Sequence, residues 1–224
     1  PDRVVFYTSG RASLETSYMY QLMARIYGTN NLPDSSNMCH ETTSKALPES
    51  IGIPVGTVLL DDFEETDCIF AFGQNVGSNA PRMLHPLQKA AERGVTIVVF
   101  NPLREKGWDT FVNPQNPVQM LTNRPTRLAS QYHQVRAGGD IAAIGGMCKT
   151  LIERDDEAVA AGHDRILDVA FIAEHCHGFE AFADSMRALG WDTIEGRSGL
   201  SRAAIEAAAT VYASCDKVMA IFGM

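Results

Sequence analysis

The sequence has no apolar run approaching the roughly 18 residues that span a bilayer, and no ordered charged, apolar and small-residue segments of a signal peptide. Membrane insertion of this segment is therefore not expected. Basic charge is scarce: 19 Lys+Arg stand against 27 Asp+Glu, a formal net charge of -8, with no basic cluster. A nucleic-acid backbone is thus an unfavourable partner. The five cysteines, Cys39, Cys68, Cys148, Cys176 and Cys215, are odd in number, scattered, and form no CxxC or Cys/His zinc spacing. That argues against a disulfide scaffold, and reduced thiols suit a cytoplasmic compartment. GxGxxG and the P-loop are both missing, so an ordinary nicotinamide or ATP site has no direct sequence support.

What is present is enough for one or two packed domains, with 45% hydrophobic and 21% charged residues in 224. Short, nearly continuous apolar runs at Val4 to Tyr7, Cys68 to Phe72, Val95 to Phe100 and Val218 to Phe222 read as buried strands. A strand so near each end of the sequence suggests a piece of a longer protein. Ser13 to Tyr27 reads as a helix with Ser13 near its start, Tyr18, Leu22 and Ile26 on one side, and a stop at Gly28. Pro81 to Arg93 reads as another, with Met83, Leu84, Leu87 and Ala90 on one face and Gly94 as its stop. Further helices are expected at about Asp140 to Glu153, Phe179 to Leu189 and Ser201 to Ser214. Asn101 to Val135, rich in Pro, Asn and Thr, has no period and reads as a long surface excursion. Buried strands alternating with amphipathic helices imply an α/β fold with a doubly wound, mostly parallel, Rossmann-like sheet. Ligands of such sheets bind beyond the carboxyl ends of the strands.

The loops after the strands therefore carry the candidates. Gly73-Gln74-Asn75-Val76-Gly77-Ser78-Asn79 follows a strand and precedes a helix, where backbone N–H groups can cradle a pyrophosphate; equally, any such fold needs Gly in this turn. Asn101-Pro102 ends the next strand, where a side chain can meet a ribose, or is a plain Asn-Pro turn. Gly138-Gly139-Asp140 opens a helix. Its glycines permit close backbone approach, and its carboxylate either accepts two hydrogen bonds from a guanine edge or caps the helix. Cys39-His40, ahead of a short helix from Thr42, pairs a soft metal ligand with a proton acceptor; the alternative is a small buried hydrophobe beside a capping histidine. Glu174-His175-Cys176-His177-Gly178 reads as a loop rather than a zinc site.

Phe6-Tyr7-Thr8-Ser9-Gly10-Arg11, Tyr27-Gly28-Thr29-Asn30-Asn31, Met38-Cys39-His40, Phe72-Gly73-Gln74-Asn75, Val99-Phe100-Asn101-Pro102, Gly138-Gly139-Asp140 and Phe222-Gly223-Met224 run in register along the whole chain. Together they resemble the molybdopterin oxidoreductase family, and within it the alpha subunits similar to formate dehydrogenase. The resemblance implies a molybdenum bis(molybdopterin guanine dinucleotide) cofactor. It puts Cys39 at the position of the metal-ligating cysteine or selenocysteine and His40 at that of the histidine handling the substrate proton. Gly73, Asn75, Asn101, Pro102, Gly138, Asp140, Gly223 and Met224 fall at cofactor-binding positions. It further implies that residues 1–35 are a segment of a discontinuous α/β domain completed by further chain, and 36–224 most of a second, dinucleotide-binding-like domain. A 4Fe-4S cluster is expected by the same resemblance, with ligands outside this stretch.

Glu41 stands where formate enzymes tend to have Gly, Asn101 where Asp is common, and Leu103 where Arg often follows, with Arg104 one place later. The expected activity is two-electron oxidation of formate or a similar small substrate, with electrons leaving to an unspecified partner. The alternatives are reduction of a small oxo compound on the same cofactor, and a cofactor-free binding or regulatory module of the same fold. A dehydrogenase using free nicotinamide is the remaining rival, disfavoured by the missing GxGxxG.

Overall fold

The computed structural model describes residues 1–9, 12–33 and 39–223. It separates into two compact units, Pro1–Thr57 and Val58–Gly223.

In the first unit, helix α1 (Leu14–Tyr27) starts where expected: the Ser13 hydroxyl accepts the Thr16 N–H, satisfying a donor the first turn leaves free. It stops at Gly28, whose φ of 92° favours a residue without Cβ. The expected apolar side is not buried, since Tyr18 and Ile26 are 59% and 87% exposed and Ala24 is the buried residue. An apolar stripe marks a face able to be covered, and no described residue of this unit buries Tyr18 or Ile26. Val4 to Tyr7, expected as a strand, has no regular secondary structure and joins no sheet among the described residues. Its backbone is tied elsewhere: Phe6 N–H donates to the Asn31 carbonyl, and the Asn31 amide donates to the carbonyls of Asp2 and Val4. The Phe6 ring meets Tyr20 and Tyr27 edge-on. Helix α2 (Glu41–Ile51) follows, with His40 at its N-cap position and Gly52 ending it at φ 85°.

The second unit opens with α3 (Asp62–Glu65), β1 (Cys68–Phe72), α4 (Val76–Asn79), a 3-10 turn at Pro81–Met83 and α5 (Leu84–Glu92). Then come β2 (Thr96–Phe100), α6 (Lys106–Asp109), β3 (Thr110–Phe111), α7 (Pro117–Thr122), β4 (Thr126–Arg127) and β5 (Gln131–His133). Helices α8 (Asp140–Ala160), α9 (Val169–His175), α10 (Phe179–Ala188), α11 (Trp191–Ser198) and α12 (Arg202–Ala213) precede β6 (Val218–Phe222). Four strands form a parallel sheet in the order β5-β2-β1-β6, with Cys68 beside Thr96 on one flank and Val218 on the other. The order reverses between β1 and β6, which makes the sheet doubly wound.

Side chains alternate across β1. Ile69 and Ala71 join Leu84, Leu87 and Ala90 of α5 in one core. Cys68 and Phe70 join Ala143 and Met147 of α8, Ile194 of α11 and Ile205 of α12 in the other. Strands buried on both faces explain the continuous apolar runs, and each fully covered Leu or Ile contributes about 1.5–3 kcal/mol.

Asn101 to Val135 is not wholly irregular. It contributes edge strand β5, the antiparallel β3–β4 pair and fully buried Trp108. Its elements are two to six residues long, too short to show a period. No described helix is long and apolar enough to cross a membrane.

Candidate functional site

Because the four strands are parallel, their carboxyl ends share one edge, and the loops leaving β1, β2, β5 and β6 carry the residues singled out from sequence. After β1, Gly73 takes φ 64° and its N–H donates to the Phe100 carbonyl at 2.8 Å. After β6, Gly223 N–H donates to the Phe72 carbonyl, and a Cβ on Gly223 would lie 3.4 Å from the Gly73 carbonyl oxygen. The structure thus brings Gly73 and Gly223 together where the strand order reverses. Met224 lies outside the described residues.

The two amides act inside the protein. Asn75 Oδ1 accepts the Ser78 N–H at 3.1 Å, capping α4, while its Nδ2 donates to Glu105 Oε2 at 2.9 Å. Buried Asn101 accepts the Leu103 N–H and donates to the Gln74 carbonyl, bridging the loops after β1 and β2. The Trp108 indole N–H donates to the same carbonyl. Gly77 and Gly107 press backbone to backbone: a Cβ on Gly107 would sit 2.7 Å from Gly77 N. Pro102 lends its carbonyl to the Gln134 amide at 3.1 Å. Gln74 Oε1, buried in this packing, has no hydrogen-bond partner among the described residues.

The third loop is arranged differently. Gly138 has φ 77°, and Gly139 occupies the N-cap position of α8 with no side-chain cap. Asp140 is therefore the first residue of the helix, and its carboxylate has no polar partner among the described residues. A free carboxylate beside the unpaired N–H groups of a 21-residue helix is held by the positive end of the dipole. It can accept two donors from a planar ligand edge.

Around this edge, burial pushes the Tyr132 hydroxyl up and the His133 imidazole down. The Asp109 carboxylate, hydrogen-bonded to Arg104, holds that guanidinium firmly protonated. Tyr132 braces the loop after β2, donating to the Leu103 carbonyl at 2.7 Å and accepting the Glu105 N–H at 2.9 Å. Glu105, Gly107, Trp108 and Tyr132 carry no motif in the sequence; the Gly-Trp pair inside the excursion is the one available signal.

In the first unit, Cys39 is exposed, which removes the reading of it as a buried hydrophobe. His40 does stand at the head of α2, yet it makes no side-chain cap, and its Nδ1 lies 3.4 Å from Ser44 Oγ. A free thiol and an imidazole are thus adjacent in sequence and accessible, a soft ligand beside a proton carrier. His175 ends α9 with Cys176 and His177 exposed after it.

No family model matches the chain. Over its whole length the chain is 49% identical to protein YdeP of Escherichia coli K12, of which it spans 30%. It is 39% identical to an uncharacterized oxidoreductase of Mycobacterium tuberculosis, of which it spans 28%. It is also a distant homologue, at 24% identity, of formate dehydrogenase H of Escherichia coli K12, again spanning 28% of that protein. The chain thus covers under a third of the curated relatives it matches. Among solved structures, acetylene hydratase from Pelobacter acetylenicus superposes with a TM-score of 0.64 over 88% of this chain and 23% of that one, at 20% identity. That likeness supports the α/β fold, and two of the named relatives, the mycobacterial protein and formate dehydrogenase H, are of oxidoreductase type.

Proposed function

We propose that the protein is a two-electron oxidoreductase that holds a molybdenum bis(molybdopterin guanine dinucleotide) cofactor and acts on formate or a similar small substrate. The observation that carries this reading is the free Asp140 carboxylate at the head of α8, on the sheet edge that also bears Gly73 and Gly223. Similarity along the whole of this chain to a 28% stretch of formate dehydrogenase H supports it independently.

The residues present fit a guanine dinucleotide. Gly139 is walled by backbone so closely that a Cβ would lie 2.8 Å from the Arg197 carbonyl oxygen, leaving bare peptide beside Asp140. Gln74 Oε1 offers a buried acceptor with no internal donor, which costs stability unless something outside the described set pairs with it. In this reading Asp140 accepts the N1–H and N2–H2 of guanine, while Gly73, Gly138 and Gly223 let backbone approach the rest. Asn75, Asn101 and Pro102 hold the loops in place rather than touching the ligand through their side chains.

Cys39 supplies the thiolate ligand and His40 takes the proton released by the substrate, passing it to solvent through its exposed ring. When bound, the cofactor would supply a centre able to accept two electrons from the substrate. The electron partner and a 4Fe-4S cluster lie beyond this stretch in the same reading. So does the further chain that completes the domain to which residues 1–35 belong, with 36–224 forming most of the second.

The test is elemental analysis for molybdenum, tungsten and iron on the anaerobically purified full-length protein, with pterin fluorescence after oxidative release, beside Cys39→Ala and Asp140→Asn. Near-stoichiometric metal and pterin are expected in the parent. Cys39→Ala should abolish formate turnover, and Asp140→Asn should lower pterin retention. Neither metal nor pterin, from a host that makes the cofactor, would overturn the proposal in favour of a cofactor-free module.

A further inference from the structure

Away from the candidate site, at the amino ends of the strands, two cysteines of the second unit meet at one core cluster. Cys68 is the first residue of β1 and is fully buried. Cys215 follows the last turn of α12, is partly buried, and packs against the core cluster that contains Cys68. The backbone fixes them beside one another. Cys68 stands in register with Val218, and the N–H groups of Asp67 and Cys68 both donate to the Lys217 carbonyl. The Asp67 carboxylate accepts the N–H groups of Asp216 at 3.1 Å and Lys217 at 3.0 Å. That clamp leaves the turn carrying Cys215 little freedom to move from β1. The Cys215 side chain is a direct electrostatic neighbour of the Cys68 thiol, and Cys215 Sγ also lies 3.8 Å from Ser214 Oγ.

We propose that Cys68 and Cys215 form a two-electron redox site that closes into an intramolecular disulfide when the protein meets a hydroperoxide. The two sulfurs have unequal roles. Burial first, and then the neighbouring Cys215, push the Cys68 thiol up to about 12, so Cys68 stays protonated at neutral pH and is the poorer nucleophile. Cys215, partly open to solvent, attacks the peroxide. Its sulfur takes one oxygen to become a sulfenic acid while the hydroperoxide is reduced to water or an alcohol. The Cys68 sulfur then attacks the sulfenic sulfur, and its proton leaves with the hydroxyl as water, forming the S–S bond. One peroxide consumes two thiols. The bond would tie the start of β1 to the turn between α12 and β6, on the edge opposite Asp140, so the site works independently of the proposed cofactor.

The sequence makes the test direct, because trypsin places each cysteine on its own peptide: Cys68 lies in 46–82 and Cys215 in 203–217. The protein is treated with a few equivalents of hydrogen peroxide, alkylated under non-reducing conditions, digested and read by mass spectrometry. The expected product is 46–82 joined to 203–217, two hydrogens lighter than the sum, exceeding every other cysteine pairing and released by dithiothreitol. Cys68→Ala should instead leave Cys215 as a sulfenic acid trapped by dimedone, and Cys215→Ser should leave Cys68 fully alkylatable after unfolding. Two results overturn the proposal in the parent protein. One is Cys215 advancing to sulfinic acid while Cys68 remains a thiol, and the other is cross-links dominated by Cys39 or Cys176 between molecules.

Discussion

Replacing Gly139 by Ala tests whether the loop at the head of α8 is as closely walled as its geometry says. The new Cβ would lie 2.8 Å from the Arg197 carbonyl oxygen and 2.9 Å from both the Arg136 carbonyl oxygen and Ser198 Cα. All three are backbone atoms, and neither wall can retreat cheaply. The Arg136 carbonyl accepts the Gly139 N–H at 2.8 Å, and the Arg136 N–H donates to the Ser198 carbonyl at 2.8 Å. Forcing one methyl into a packed site costs about 1–3 kcal/mol, and loosening one of those hydrogen bonds adds about 1 kcal/mol. Gly139 has φ -87°, which alanine adopts freely. The smaller entropy of the unfolded chain therefore returns about 0.4–1 kcal/mol. The balance is a loss of about 2 kcal/mol. With a urea m-value of about 2–3 kcal/mol/M, the unfolding midpoint should fall by about 0.7–1 M at unchanged m. Gly138 is the control for backbone strain: it has φ 77° and open space around its would-be Cβ, so Gly138→Asn should be milder than Gly138→Ala, Asn tolerating the left-handed region. Gly139→Asn should be no better than Gly139→Ala. A Gly139→Ala midpoint at or above the parent's would refute the steric argument and, with it, the close backbone wall beside Asp140.

Two further predictions concern charge in the second unit. His133 stacks on Phe100 at 4.8 Å, and burial holds it below its ordinary value of 6.5. The unfolded chain binds the proton first, so stability is full above about pH 6.5 and declines as pH falls from there through the lower folded value. In urea titrations at pH 7.5 and 5.5, His133→Gln should lose less stability on acidification than the parent; equal losses would show that His133 carries none of the dependence. Lys149 is 6% exposed at its side chain, with Nζ 2.6 Å from Glu153 Oε1 and donating to the Arg187 carbonyl at 2.8 Å. Glu153→Gln strips that ammonium of its counter-charge and should cost about 1–2 kcal/mol, below the full cost of breaking a buried pair because Glu153 is partly solvated. Lys149→Met should melt above Glu153→Gln, and the reverse order in thermal melts would mean that packing, not charge, decides the position.

The regular part of the fold was readable because its signals are local and redundant. Ser13 and Gly28 bracket α1 by capping chemistry, and Cys68 to Phe72 is apolar throughout because both faces of the sheet are covered there, whereas edge strand Val218 to Phe222 has the same apolar run with Met219 alone buried. Where a signal depends on a partner far away in sequence, it could not be read. Tyr18 and Ile26 have the spacing of a core face, yet they remain exposed, since amphipathicity does not state what does the covering. Trp108 is fully buried in a stretch without a period because the Gln74 carbonyl, thirty-four positions earlier, receives its N–H.

The candidate edge divides in the same way, and the division bears on how such sites should be read. Placing loops at strand carboxyl ends follows from topology alone and yields Gly73 and Asn101 as positions, whereas Gly138 comes from a helix start and Gly223 from the family resemblance. Their roles did not follow. Asn75 and Asn101 have the donor and acceptor capacity of ligand-binding amides, but each spends it on a neighbouring loop, through Glu105 in one case and the Gln74 carbonyl in the other. The sequence offers Asp140 as a guanine contact or as a helix cap, and a cap would consume its carboxylate. Gly139 takes the cap position instead, and the carboxylate is left without a polar partner among the described residues. Reading residue type favours the amides; counting where each hydrogen bond goes favours the acid. The second criterion is the stronger one, because a side chain already paired inside the fold must break a bond to meet a ligand, whereas Asp140 can gain one without losing any.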